Sequence, residues 1–94
     1  MSRTRYLIAY DISDARRLRR VIKIMEGYGD RLQYSVFICD LTGAEFVAWK
    51  EDILDVMELT RDSVVTINLG PPGTRPIGNL GTPRHLPTQG PTIV

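Results

Sequence analysis

Between residues 5 and 69 the spacing of apolar residues switches repeatedly between the two-residue period of a strand and the 3.6-residue period of a helix. That order, packed into so few residues, admits few folds. Residues 5–12 (RYLIAYDI) are β-branched and aromatic without Gly or Pro, which predicts a strand. Ser13 and Asp14 follow, both good helix N-caps. Leu18, Val21, Ile22 and Met25 then recur at i, i+3, i+4 and i+7, one stripe of a helix that Gly27 and Gly29 end, Gly29 being able to take the left-handed conformation. Residues 31–41 (RLQYSVFICDL) are strand-like again. Propensity alone accommodates one long strand, or two short ones broken near Tyr34-Ser35, where no Gly marks a turn. Thr42-Gly43-Ala44-Glu45 is a capping box, so a second helix is expected over about residues 43–58, burying Phe46, Trp49, Ile53 and Val56 or Met57. Asp62-Ser63 then turns into a strand over residues 64–69 (VVTINL).

After Gly70 the composition changes. All six prolines fall within residues 71–91, and residues 70–94 hold five of the eight glycines, so no regular core element is expected there. The segment reads as a tail or as an extended arm docking elsewhere, with short strands at residues 75–80 and 92–94. With the third segment split, the chain is an α+β, ferredoxin-like βαββαβ domain over residues 1–70, an antiparallel four-stranded sheet with two helices on one face, followed by a Pro/Gly-rich arm over residues 71–94. The other sheet face would expose Tyr6, Ile8 and Tyr10, or else Leu7 and Ala9. An open apolar face of that kind predicts a homodimer stacked sheet to sheet, with the arm crossing to the partner's sheet edge.

The net charge of +1 hides an uneven distribution. Arg3, Arg5, Arg16, Arg17, Arg19, Arg20, Lys23 and Arg31 give residues 1–31 a net +4 over Asp11, Asp14, Glu26 and Asp30, whereas residues 32–69 carry −5. Ten of the twelve basic residues are Arg, whose planar fork suits phosphate. Arg16, Arg19, Arg20 and Lys23 fall within about 100° of arc opposite the apolar stripe and lack i,i+4 acidic partners. The plain reading is a solvated face; the sharper one is a row of phosphate contacts, salt-dependent and indifferent to sequence. Arg17 lies off that row. Asp11 stands at the end of an apolar strand just before a helix. It either helps to cap that helix or ligates a divalent cation, and a two-fold axis nearby would pair two such carboxylates into a Mg2+ site able to activate water against a phosphodiester.

Other functions are excluded or disfavoured. Apolar runs of a few residues are too short to cross a bilayer, the N-terminus does not read as a secretory signal, and a lone Cys39 cannot form an internal disulfide, which together predict a cytoplasmic protein without a membrane role. One Cys and one His rule out a conventional zinc site. Ser35 has no His in the folded segment, since His85 sits in the arm, so a Ser-His triad is not expected. Tyr10, Tyr34, Phe37 and Trp49 read first as core or interface residues.

The motifs YDISD (10–14), the Arg-rich helix after it, YG (28–29), Arg31, QYSVF (33–37) and DL (40–41) together resemble the CRISPR-associated protein 2 family, over residues 5–69 and with matching spacing. The stretch RPIGNLG (75–81) resembles the segment that forms that family's fifth strand on its partner. The resemblance implies a ferredoxin-like homodimer that serves spacer acquisition in CRISPR adaptation, binds double-stranded DNA or single-stranded RNA, and bridges dimers of the CRISPR-associated integrase. It further implies a metal-dependent endonuclease, with Asp11 as the catalytic, metal-binding aspartate and Mg2+ or another divalent cation as cofactor. Arg16, Arg19, Arg20, Lys23 and Arg31 then fall to nucleic-acid binding, and Tyr10, Ser35 and Phe37 to support of the site. Where many members carry Glu after SVF, this chain has Ile38. A structural DNA-binding scaffold that does not cut, and a toxin-like ribonuclease of the same fold, are the alternatives.

Overall fold

The computed structural model describes residues 2–82 and, as backbone, residues 91–93. The elements are β1 (Thr4–Asp11), α1 (Ala15–Tyr28), β2 (Asp30–Gln33), β3 (Val36–Leu41), α2 (Gly43–Val56), β4 (Ser63–Asn68), β5 (Ile77–Asn79) and β6 (Pro91–Ile93). The strands β1 to β4 form one antiparallel sheet in the order β2-β3-β1-β4, the expected α+β arrangement. Register explains how the sheet is covered. Tyr6, Ile8 and Tyr10 share a face with Cys39 and Phe37, because Ile8 pairs with Phe37 and Tyr6 with Cys39. These side chains meet Val21 and Met25 of α1 and Trp49 and Ile53 of α2 in one core. Leu7, Ala9, Val36, Ile38, Val65 and Ile67 share the opposite face.

Both helices start where the sequence placed them. Asp14 caps α1 by accepting a hydrogen bond from Arg17 N at 2.9 Å, which holds the Asp14 carboxyl below its usual range. Thr42 and Glu45 complete the reciprocal box of α2, at 3.1 and 2.8 Å. Trp49 Nε1 donates to Met25 Sδ at 3.1 Å, giving the buried indole N–H a partner. The second helix ends at Val56, two residues short of its expected limit.

Two glycines carry specific burdens. Gly29 does not take the left-handed conformation open to it: α1 runs through Gly27 to Tyr28, and Gly29, with a φ of −167°, is extended. It is required because a Cβ there would overlap the Ile38 carbonyl and Cys39 Sγ, where the chain turns from α1 against β3. Gly70, at φ +78°, does occupy the left-handed region. It ends the β4 ladder, its carbonyl accepting from Arg5 N at 2.8 Å, and turns the chain into the arm.

Within the arm, β5 and β6 pair in parallel, Ile77 opposite Pro91, as a two-stranded unit separate from the main sheet. Short strands near residues 75–80 and 92–94 are thus present in the backbone, shifted by a residue or two. Arg84 and His85 lie outside the described residues, as does Val94. No helix among the described residues is long and apolar enough to cross a membrane.

Candidate nucleic-acid interface and metal site

The candidate residues gather at the end of the sheet where β1 stops and α1 begins. Asp11 closes β1, faces away from the helices and is opposed by Ser63 of β4. It is exposed, and among the described residues its carboxylate accepts no hydrogen bond and forms no ion pair. Of the two carboxylates, it is Asp14 and not Asp11 that caps α1.

Arg16, Arg19, Arg20 and Lys23 are all exposed on α1, and none makes an ion pair within the described residues. The row is not uniform. Arg20 and Lys23 line a groove between the helices together with Asp52 and Asp55 of α2, whereas Arg16 and Arg19 stand clear of it. The acidic helix therefore tempers one side of the row.

Arg17 departs from this row altogether. Its Nε donates to Asp62 Oδ2 at 2.8 Å and its Nη2 to Asp62 Oδ1 at 3.1 Å. The position of Arg17 off the basic stripe was the one hint in the sequence. Asp62 itself carried no local signal beyond a turn, because its side-chain partners Arg17 and Ser13 lie 45 and 49 residues away.

Arg31 lies half-buried on β2, its Cζ 5.6 Å from the centroids of both Tyr34 and Phe37. Its Nε and Nη2 are buried without a hydrogen-bond partner, an unmet demand for an acceptor next to the candidate surface. Tyr34 is largely exposed and Phe37 fully buried, so the cation bridges core and surface.

Tyr10 and Phe37, the expected supporting residues, both lie in the core. Tyr10 is buried, and its O–H donates to the Tyr34 carbonyl at 2.9 Å while its N–H donates to the Ser35 carbonyl at 3.1 Å. Ser35 contributes its backbone to the turn. Cys39 is inert by burial, which pushes its thiol up to about 12.

The donor set around Asp11 fits a hard cation only in part. Mg2+ accepts as few as one or two carboxylates, the rest being water. Among the described residues no group of three Asp, Glu, His or Cys side chains is placed to hold a metal. One chain thus supplies a single exposed carboxylate without a hydrogen-bond or ion-pair partner among the described residues.

The fold and this surface define a class: a ferredoxin-like domain with an acidic strand end beside an arginine-rich helix. The CRISPR associated protein Cas2 family matches residues 4–74, and the chain belongs to that family. The chain is 40% identical over 82 residues to "CRISPR-associated endoribonuclease Cas2 2" of Thermodesulfovibrio yellowstonii, covering 87% of this chain and 88% of that one. It is 41% identical over 66 residues to "CRISPR-associated endoribonuclease Cas2 1" of Rhodospirillum rubrum, covering 70% and 65%. The solved Streptococcus pyogenes Cas2 at pH 6.5 superposes with a TM-score of 0.66 at 37% identity, over 70% of this chain and 86% of that one.

Proposed function

We propose that this chain is a nucleic-acid-binding subunit of CRISPR adaptation, acting as a homodimer that bridges integrase dimers and carries a Mg2+-dependent endonuclease centre for single-stranded RNA or double-stranded DNA. The observation that carries the reading is the exposed, unpaired Asp11 immediately before a helix whose Arg16, Arg19, Arg20 and Lys23 are likewise unpaired among the described residues. The relatives' names, CRISPR-associated endoribonuclease, support the nuclease half.

In this reading the arginine row holds phosphates and orients the backbone, with Arg31 near the β2–β3 turn supplying a further donor. Asp11 from each of two copies would hold the divalent cation. When bound, that ion supplies an activated water and charge neutralisation at the scissile phosphate. Assembly in the cytoplasm, without a membrane, belongs to the same proposal.

Changing Arg16, Arg19 and Arg20 together to Glu tests the binding half. Each lost phosphate contact removes about 0.9 from the slope of log affinity against log salt, so the slope should fall by about three. Unaltered affinity across the salt series would remove the row from the interface. Asp11→Asn tests the catalytic half: cleavage should vanish while duplex binding persists. The single carboxylate per chain and the absence of a larger ligand cluster among the described residues favour, as second reading, a scaffold that does not cut. Undiminished spacer integration by Asp11→Asn with the integrase present, in a protein that never cleaves, would establish it.

A further inference from the structure

Asp62 takes no part in the activity proposed above, yet among the described residues no other side chain is so heavily bonded. Its carboxylate is fully enclosed. It accepts from Ser13 N at 3.0 Å, Ser13 Oγ at 3.1 Å, Arg17 Nε at 2.8 Å, Arg17 Nη2 at 3.1 Å and Glu58 N at 2.8 Å. Arg17 Nη2 also donates to Ser13 Oγ at 3.2 Å, closing the ring. The guanidinium and the N–H donors hold the Asp62 carboxyl well below the usual carboxylate range.

The placement of this cluster is informative. Ser13 stands two residues after Asp11, and Asp62 immediately precedes Ser63, which pairs with Asp11 across the sheet. The carboxylate therefore ties together the two chain segments that leave the Asp11–Ser63 pair. A turn of this kind could be closed by apolar packing at no loss of stability, since buried ion pairs seldom outperform it. What a bidentate pair with added N–H donors supplies is direction: it fixes backbone position to within a hydrogen bond.

We infer that Asp62 is a positioning residue for Asp11, fixing through Ser13 and Arg17 the strand end that presents the Asp11 carboxylate. It also withholds Arg17 from the phosphate-binding row. The inference rests on the proposed reading of Asp11 as a cation ligand, and the experiment separates the two.

The full chain is assayed as Asp62→Asn, Ser13→Ala and Asp11→Asn, with Mn2+ as the probe. Free Mn2+ is counted by electron paramagnetic resonance, a readout independent of activity. Asp62→Asn should weaken Mn2+ binding by about tenfold, the usual scale for a group that orients a ligand. It should lower kcat by a similar factor and leave KM for single-stranded RNA unchanged. A purely structural Asp62 would lower the melting temperature and leave Mn2+ affinity and kcat alone, and that result overturns the inference. Should Asp62→Asn not fold, Ser13→Ala, which keeps the buried ion pair and deletes one hydroxyl donor, should show the same split at about threefold; parental Mn2+ affinity in that variant overturns it equally. Asp11→Asn should abolish Mn2+ binding. If it binds as the parent does, the cation reading fails and the inference falls with it, whereas an Asp11-dependent site indifferent to Asp62 overturns the inference alone.

Discussion

The two faces of the sheet are built from nearly the same residue types and end in opposite conditions. Toward the helices, Ile8, Phe37 and Cys39 are completely enclosed, and Tyr10 spends its hydroxyl on a backbone carbonyl. On the other face Val65 is 50% and Ile67 48% exposed, with Leu7 and Ala9 half-covered beside them. That second face is not uniformly open. Ile38 is buried, and Arg5 is closed off with a bidentate bond to Asp40 at 2.8 and 3.0 Å. One chain thus finishes one face, and leaves on the other an apolar strip ending at Asp11. A small domain gains from covering such a strip with a second copy, and the proposed dimer does so.

The largest effect expected from this contrast is at Phe37. Phe37→Ala should cost about 3–5 kcal/mol, the range for emptying an enclosed aromatic site, measured by urea denaturation. It should also free Arg31, whose guanidinium sits against that ring. A loss below about 1 kcal/mol would mean that the helix-covered face is looser than described.

Ile67→Asp should do the reverse. Half-exposed in the single chain, it should change monomer stability by less than about 1 kcal/mol. Placed at a sheet-to-sheet seam, an unpaired carboxylate should weaken dimerisation by at least about tenfold in sedimentation equilibrium. A dimer indifferent to this change would move the contact off the open face and dissolve the comparison.

The smallest effect concerns acid. The carboxyls of Asp14, Glu45 and Asp62 are each held below their ordinary values, by hydrogen bonds from the Arg17 N–H, the Thr42 N–H and the Arg17 guanidinium respectively. The folded chain therefore binds fewer protons than the unfolded one just below pH 4. Their stabilisation is complete only above the ordinary carboxyl values and is lost as pH falls through them toward the depressed folded values. The stability of Asp62→Asn should accordingly fall less steeply than the parent's between pH 4 and 2, measured by urea denaturation at each pH, while near pH 7 the two should differ by a constant offset.

Much of this was legible in the chain itself. Element order, both helix starts and the buried stripe of α1 followed from local physics, since caps and periodicity act within a few residues. Asp11 and the row from Arg16 to Lys23 were legible too, because a carboxylate ending an apolar strand and four like charges on one helix face are visible without a fold. The motifs around them supplied the family.

Tertiary structure decided what depends on distant partners. Whether residues 31–41 break at Tyr34-Ser35 was open in the sequence; the turn is held from β1 by Tyr10, 24 residues away. Gly29 was needed for room beside Ile38 and Cys39, not for a left-handed turn. Arg17 and Asp62 looked like a surface charge and a turn residue until the fold set them 2.8 Å apart. Periodicity and capping are written over one or two helical turns and survive in the string of letters. A hydrogen bond closing 45 residues of chain leaves no such trace, because only the packed sheet determines which ends of the chain meet.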